Sequence, residues 1–194
     1  MSLLVTGGLG FLGLQVARQF LKRGKVWSPR AGCAVALERI TLFDVPGALH
    51  PTDEAGGVPA ESAQHAPHAP LQALRLVRTL SHVSLMRLAV AADDRVAVRT
   101  GDLTEEGVAE ELVDDDSLSV VHLASMVSGD TEADHMRGWD VNVEGQRRLL
   151  EALRTRAPGS RFVFTSSTAA LGPVAPGDAD ADDLTKLLPQ NTYG

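Results

Sequence analysis

The chain has 194 residues, a formal net charge of −7 at pH 7 and an apolar content of 44%, which suit one domain, or one domain with a fragment of a second. The acidic net charge argues against nucleic acid as a partner. The single cysteine, Cys33, excludes an intramolecular disulfide, and we expect it to be a partly buried packing residue rather than a nucleophile. No segment resembles a signal peptide or the roughly 18 apolar residues of a membrane span. We therefore expect a cytoplasmic protein that binds no membrane.

The first predicted unit is a strand, a glycine-rich turn and a helix. Residues 3–6 form a short apolar run, and residues 13–23 carry apolar side chains at helical spacing. The turn between them, at positions 6–13, reads TGGLGFLG. A second apolar strand follows at residues 39–44 and ends in an acid, Asp44.

Each glycine of this turn has a predicted mechanical role. Gly7 permits a tight turn out of the strand, Gly10 lets the backbone approach a pyrophosphate, and Gly13 allows close packing of the helix on the strand. The helix start, including Phe11 and Leu12, supplies free N–H groups and a partial positive charge. This context predicts a dinucleotide-binding site; the alternative is a purely structural turn.

Asp44 is the candidate ligand of the adenosine ribose. Its carboxylate would accept hydrogen bonds from the 2′ and 3′ hydroxyls and would repel a 2′-phosphate, so we expect NAD rather than NADP. The spacing from Gly13 to Asp44 exceeds the usual spacing of about 20 residues between the last glycine and the acid. We interpret residues 25–37 as an insertion that accounts for the excess. The alternative is that Asp44 merely starts the next turn.

The rest of the chain alternates between strands and helices. Residues 45–70 read as a proline-rich loop. Residues 71–92 have a basic helical pattern, which we expect to pack on its own domain or to be a poorly ordered insertion; the alternative is a helix on a membrane surface. Further strands are predicted at residues 95–99, 119–124 and 161–167, helices at 104–113 (capped by Thr104) and 134–156, and a loop at 173–194. This alternation predicts a doubly wound parallel-sheet α/β Rossmann domain of about five strands.

Two further groups of polar residues are weaker candidates. In GDL, Asp102 would reach the adenine amino group and Leu103 would supply apolar cover, although Gly-Asp is also an ordinary turn. Three histidines lie in the proline-rich loop without a cysteine or an ordered scaffold, so we predict no metal site. They are His50, His65 and His68.

Seven motifs follow one another along the chain: TGGLGFLG, LFDV, GDL, HLAS, VNVEG, FTSS and PQNTYG. Together they resemble the extended short-chain dehydrogenase/reductase family, which includes nucleotide-sugar epimerases and dehydratases. The resemblance covers an NAD-binding Rossmann domain at residues 1–194 except for insertions at about 25–37 and 49–93. Within the family, the segment from HLAS to VNVEG and the PQNTYG ending are most similar to sugar-acid oxidoreductases of the D-erythronate dehydrogenase type.

The resemblance implies cofactor contacts in the second half of the chain. In HLAS, Leu123, Ala124 and Ser125 would border the ribose on the nicotinamide side. Asn142 would pin the helix that follows this strand, and Ser166 of FTSS would also lie at the cofactor.

The resemblance also implies a catalytic pair. Ser167 would polarise the substrate oxygen, and Tyr193 would accept the proton in alcohol oxidation while bordering the cofactor. The family places a lysine four positions after the tyrosine, where its charge favours tyrosinate, whereas this sequence ends at Gly194. We expect the C-terminal substrate-binding region to be absent from it.

The implied function is NAD-dependent oxidation of a hydroxyl on a small sugar-derived substrate such as a sugar acid. One alternative is epimerisation or dehydration of a nucleotide sugar, which shares the first half-reaction. Another is a truncated, non-catalytic dinucleotide-binding module. A homodimer is a further expectation, since family members often pair through the helices beside strands four and five.

Overall fold

The computed structural model describes residues 1–49, 82–116, 118–173, 177 and 180–194. Its strands are β1 (Ser2–Thr6), β2 (Lys25–Ser28), β3 (Cys33–Ala36), β4 (Arg39–Asp44), β5 (Val96–Thr100), β6 (Leu118–His122) and β7 (Arg161–Phe164). Five of them form one parallel sheet in the order β5-β4-β1-β6-β7. The predicted doubly wound parallel sheet is confirmed.

The helices connect these strands. They are α1 (Phe11–Arg23), α2 (His82–Ala91), α3 (Val108–Leu112), α4 (Ser128–Ala133), α5 (His135–Trp139) and α6 (Gln146–Arg156), with 3-10 turns at Pro46–Leu49 and Thr168–Ala170. A π-helical segment, Asp140–Gly145, joins α5 to α6. The predicted helix at 134–156 is therefore present as one run of helical residues.

Helix α1 ends where the sequence predicts. Gly24 adopts the left-handed conformation with a φ of 61°, and its N–H donates to the carbonyl of Phe20 at 2.8 Å. Lys22 and Arg23 occupy the last turn, where positive charge is favourable. The glycine and the two basic residues together stop the helix before β2.

Two hydrophobic clusters cover the two faces of the sheet, because successive side chains of a strand point to opposite faces. Val5 of β1 packs in the cluster that includes Leu14 of α1 and Val90 of α2. Leu4 packs in the other cluster, which includes Leu112 of α3 and Leu149 of α6. The central strand is thus buried on both sides and along its whole length.

Residues 25–37, which the sequence indicates as an insertion, contain an ordered hairpin. Strands β2 and β3 pair antiparallel, and Arg30 in the turn between them forms an ion pair with Asp116, just before β6. The hairpin therefore lies towards the end of the sheet where the strands begin. The extra residues before Asp44 leave the opposite end, where the strands finish, undisturbed.

Several sequence predictions need correction. Helix α3 begins after Gly107, not at Thr104, because the backbone N–H and hydroxyl of Thr104 both bond to Asp102. Cys33 is exposed on β3 rather than partly buried. In the predicted helix at 71–92, only the part from residue 82 lies within the described residues, and it packs on α1.

Other predictions fall partly or wholly outside the described residues. His50, His65 and His68 lie in the stretch 50–81, outside the described residues. Elsewhere, in the residues that the structure describes, no group of three histidine, cysteine or acidic side chains is arranged to hold a metal ion. No helix in those ranges is long and apolar enough to cross a membrane.

Candidate functional site

The site begins at β1, where the strand order of the sheet reverses. Strand β4 lies on one side of β1 and β6 on the other, so the chain first runs from β1 to one side of the sheet and later crosses from β5 to the other side. In open α/β sheets, ligands bind in the crevice beyond the carboxyl ends of the strands at this reversal. The glycine-rich turn follows Thr6, the last residue of β1, and therefore lies in this crevice.

Close packing explains two glycines of the turn. Gly7 has a φ of 65°, and a Cβ built on it would lie 2.9 Å from the Ala124 nitrogen. A Cβ on Gly13 would lie 2.4 Å from the carbonyl oxygen of Gly7 and 2.7 Å from the Cα of Gly8. At Gly10 the nearest protein atom would be 3.3 Å away, so its predicted closeness to a pyrophosphate stays a prediction.

Before α1 begins, three N–H groups of the turn already donate hydrogen bonds within the protein. Gly8 donates to the carbonyl of Phe43 at 3.0 Å, Leu9 to Asp44 Oδ2 at 3.0 Å, and Gly10 to the carbonyl of Gly7 at 3.2 Å. The next three N–H groups, of Phe11, Leu12 and Gly13, belong to the first helical turn and have no intrahelical acceptor. These groups and the helix dipole can bind an anion such as a pyrophosphate.

Asp44 connects β4 to the glycine turn. Its Oδ2 accepts from the N–H of Leu9 at 3.0 Å, and its Oδ1 accepts from the N–H of Val45 at 2.9 Å. Each carboxylate oxygen has a second lone pair that remains available for a ribose hydroxyl. The carboxylate thus lies at the turn, as a ribose ligand requires.

The GDL segment is held from α5. Asp102 forms an ion pair with Arg137 and accepts hydrogen bonds from the N–H and hydroxyl of Thr104, at 2.9 and 2.7 Å. Partial burial alone would raise the pKa of Asp102, but the bonds from Arg137 and Thr104 outweigh it and lower the pKa. Leu103 is only 6% exposed within the core, so it offers a ligand little apolar cover.

Thr6 and His122 join the ends of β1 and β6. The hydroxyl of Thr6 accepts from the N–H groups of Leu123 and Ala124, at 3.2 and 3.3 Å, and lies 2.7 Å from Nδ1 of His122. Since the hydroxyl already accepts two bonds, its own proton is donated to Nδ1, which keeps the imidazole neutral. The imidazole stacks beside Phe162 and Phe164, with ring centroids 5.8 and 6.1 Å away.

This histidine predicts a pH dependence of stability. Burial lowers the pKa of His122 to about 4 from 6.5. Between these values the unfolded chain binds the additional proton, so the folded state loses stability as the pH falls from 6.5 to about 4. We expect this group to remove up to about 3 kcal/mol from the free energy of unfolding, as measured by urea unfolding at a series of pH values.

The matched variant is His122→Asn, whose side-chain amide keeps an acceptor for Thr6 but does not titrate. It should lose this part of the pH dependence while other groups contribute as before. An identical pH dependence in both proteins would show that His122 is not the titrating group.

Asn142 pins the chain that follows β6. Its Oδ1 accepts from the N–H of Met126 at 2.8 Å, and its Nδ2 donates to the carbonyl of Met126 at 3.0 Å. This two-point contact links the π-helical segment to the HLAS loop. The geometry agrees with the pinning role; a direct contact of Asn142 with a cofactor stays a prediction.

Predicted residues from three distant segments meet at one cavity of about 250 Å³. Its lining includes Ala124, Ser125, Asn142, Ser166, Ser167 and Tyr193. Ser167 Oγ also accepts from the N–H of Ala169 at 3.1 Å, which leaves its proton free to be donated. The Tyr193 segment is held through Thr192, whose N–H donates to Glu132 at 3.3 Å and whose hydroxyl lies 2.9 Å from Nδ1 of His135.

The candidate site therefore has two parts at the same edge of the sheet. The glycine turn with Asp44 forms one part, and the serine–tyrosine cavity forms the other. They meet at Ala124, which lines the cavity. Its N–H donates to the hydroxyl of Thr6, and its nitrogen packs against the Cα of Gly7 so closely that a Cβ would not fit between them. No role for Thr6 or His122 follows from the sequence alone, although a hydroxyl and an imidazole at the ends of two strands beside the turn are a signal of a contact between them.

Comparison with known proteins identifies similar chains. The profile of the NAD dependent epimerase/dehydratase family matches residues 68–194. Two curated relatives named D-erythronate dehydrogenase, from Cupriavidus necator and Haemophilus influenzae, are 36% and 26% identical over all 194 residues and over 46% of their own length. The chain thus spans slightly less than half the length of these relatives.

A solved structure has a similar fold. The nucleoside-diphosphate-sugar epimerase from Agrobacterium tumefaciens matches with a TM-score of 0.64 and 26% identity, over 100% of this chain and 44% of its own. The names of the curated relatives and of this solved structure state different activities. The substrate of this chain must therefore be argued from the chemistry of its site.

Proposed function

This chain belongs to the NAD dependent epimerase/dehydratase family, and we propose that it forms the NAD-binding and catalytic part of a dehydrogenase that oxidises a hydroxyl group of a sugar acid. The observation that carries the proposal is the cavity that Ser167 and Tyr193 share beside the glycine turn. The relatives named D-erythronate dehydrogenase support the sugar acid as substrate.

The glycine turn and Asp44 would hold the cofactor. The N–H groups of Phe11, Leu12 and Gly13 bind the pyrophosphate, and the carboxylate of Asp44 accepts hydrogen bonds from the adenosine ribose. Because that carboxylate would repel a 2′-phosphate, NAD is preferred over NADP. When bound, NAD supplies the hydride acceptor, and the chain's own residues position and deprotonate the alcohol.

Ser167 and Tyr193 would act on the substrate. The Ser167 hydroxyl donates to the substrate oxygen, and the side-chain oxygen of Tyr193 accepts the proton of the substrate hydroxyl as the carbon–hydrogen bond breaks. His122 lines the same cavity but stays neutral and bonded to Thr6, so it supports the loop and exchanges no proton near neutral pH.

An assay with NAD and several substrates tests this function. We expect NADH to accumulate with D-erythronate or a related four-carbon sugar acid, and Ser167→Ala to slow its formation. Conversion of a nucleotide sugar without net NADH would instead support an epimerase or dehydratase. Binding of NAD without turnover of any sugar acid would contradict the catalytic part and support a dinucleotide-binding module.

We further propose that the protein forms a homodimer through the helical run from α5 to α6. Met136, Trp139 and Leu150 are 72, 53 and 40% exposed along this helical run. A row of exposed apolar side chains on one helix is typical of an association surface. Such a surface on a helix beside the sheet favours pairing with a second copy.

Light scattering after size exclusion tests the dimer. We expect twice the monomer mass for the unmodified protein and the monomer mass for Trp139→Asp. Leu184→Asp is the matched control, since Leu184 is 91% exposed outside this helical run and should leave the mass unchanged. A monomer mass for the unmodified protein at micromolar concentration would contradict the proposal.

A further inference from the structure

A charged side chain from α2 holds the glycine turn, and the proposed function does not use it. The Nε of Arg87 donates to the carbonyl oxygen of Leu9 at 2.9 Å, across 78 positions of sequence. On the other side, the N–H of Leu9 donates to Asp44 Oδ2 at 3.0 Å. Both peptide groups that flank Leu9 are therefore fixed by charged side chains from different elements.

Packing in the hydrophobic core also fixes the Leu9 side chain and helix α2. The Leu9 side chain is 3% exposed and belongs to the same core cluster as Met86 and Val90 of α2. The Met86 sulfur accepts from Gln15 Nε2 of α1 at 3.4 Å. Since Met86 and Val90 pack α2 against α1, the neighbouring Arg87 lies in a defined position beside the turn.

The contact lies immediately before the anion-binding N–H groups. The Leu9 carbonyl belongs to the peptide group that leads into Gly10 and then to the free N–H of Phe11. A carbonyl oxygen carries partial negative charge, which opposes an anion bound nearby; the guanidinium offsets that charge. Within the described ranges, Arg87 forms no ion pair with a carboxylate, so its positive charge is not neutralised there.

We propose that Arg87 is a positioning residue for the dinucleotide: it fixes the Leu9 carbonyl and so presets the glycine turn for the pyrophosphate. This inference rests on the proposed binding of NAD. The competing explanation is that Arg87 merely attaches α2 to the rest of the domain, in which case its loss would loosen α2 as much as the turn.

Two measurements on three variants separate these explanations. Amide hydrogen exchange of the ligand-free protein reports on residues 8–13 and on α2 separately, and titration calorimetry gives the affinity for NAD. The variants are Arg87→Met, Arg87→Lys and Arg18→Met, the last because Arg18 is exposed on α1. Lysine keeps a cationic donor on a side chain of similar length.

We expect Arg87→Met to speed exchange in residues 8–13, to leave exchange in α2 unchanged, and to weaken NAD binding about tenfold or more. Arg87→Lys should recover most of both losses, and Arg18→Met should match the unmodified protein. Faster exchange throughout α2, or unchanged exchange and affinity in Arg87→Met, would overturn the inference. If the unmodified protein bound no NAD, the proposed function would fail, while the exchange data would still decide whether Arg87 fixes the turn.

Discussion

Gly13→Ala is expected to weaken NAD binding by about 10- to 100-fold while the sheet stays folded. The added Cβ would lie 2.4 Å from the carbonyl oxygen of Gly7 and 2.7 Å from the Cα of Gly8. Both neighbours are backbone atoms that cannot rotate away, so α1 and the turn must separate. Separation displaces the N–H groups that would bind the pyrophosphate. Calorimetric titration with NAD, with thermal unfolding as a check on folding, measures the effect.

Gly129→Ala is the matched control for this substitution. Gly129 lies in α4, and a Cβ built on it meets no atom within 4 Å. This variant should bind NAD as the unmodified protein does. If Gly13→Ala bound NAD equally well, the close contact at Gly13 would not matter for the cofactor and the assignment of the turn would be wrong.

Tyr193→Phe is expected to lower turnover of the sugar acid by about 100-fold or more, because proton transfer by a positioned side chain contributes about 10²- to 10⁴-fold. Phenylalanine keeps the ring in the cavity and removes only the hydroxyl. The affinity for NAD should change by less than about tenfold, since losing one neutral hydrogen bond costs about 0.5–1.5 kcal/mol. Steady-state NADH formation and NAD titration measure the two quantities separately.

The split between the two measurements is decisive for the role of Tyr193. Equal losses in turnover and NAD affinity would indicate that the tyrosine only supports the cofactor site. Unchanged turnover would show that another group accepts the proton.

Local sequence patterns predicted the strand, the glycine turn and the helix that build the first part of the candidate site. The spacing of Gly7 and Gly13 encodes a turn that only glycine can form, and Gly24 stops α1 by its left-handed conformation. Apolar strands that alternate with helices imply crossover connections, so the parallel sheet also followed from sequence. These features depend on neighbours in the chain, which a sequence displays directly.

Contacts between distant segments were not predictable in the same way. Thr104 was expected to cap a helix, but the carboxylate of Asp102 competes for its N–H and hydroxyl. The pair of Thr6 with His122 joins residues 116 positions apart, and Arg87 reaches Leu9 from α2. Such contacts depend on how the elements pack, and no local pattern encodes that.

Calorimetric titration of the unmodified chain with NAD and with NADP tests the central claim most directly. We predict saturable binding of NAD at one site per chain and at least tenfold weaker binding of NADP, because Asp44 would accept ribose hydroxyls and repel a 2′-phosphate. Absence of NAD binding, or equal affinity for the two dinucleotides, would contradict it.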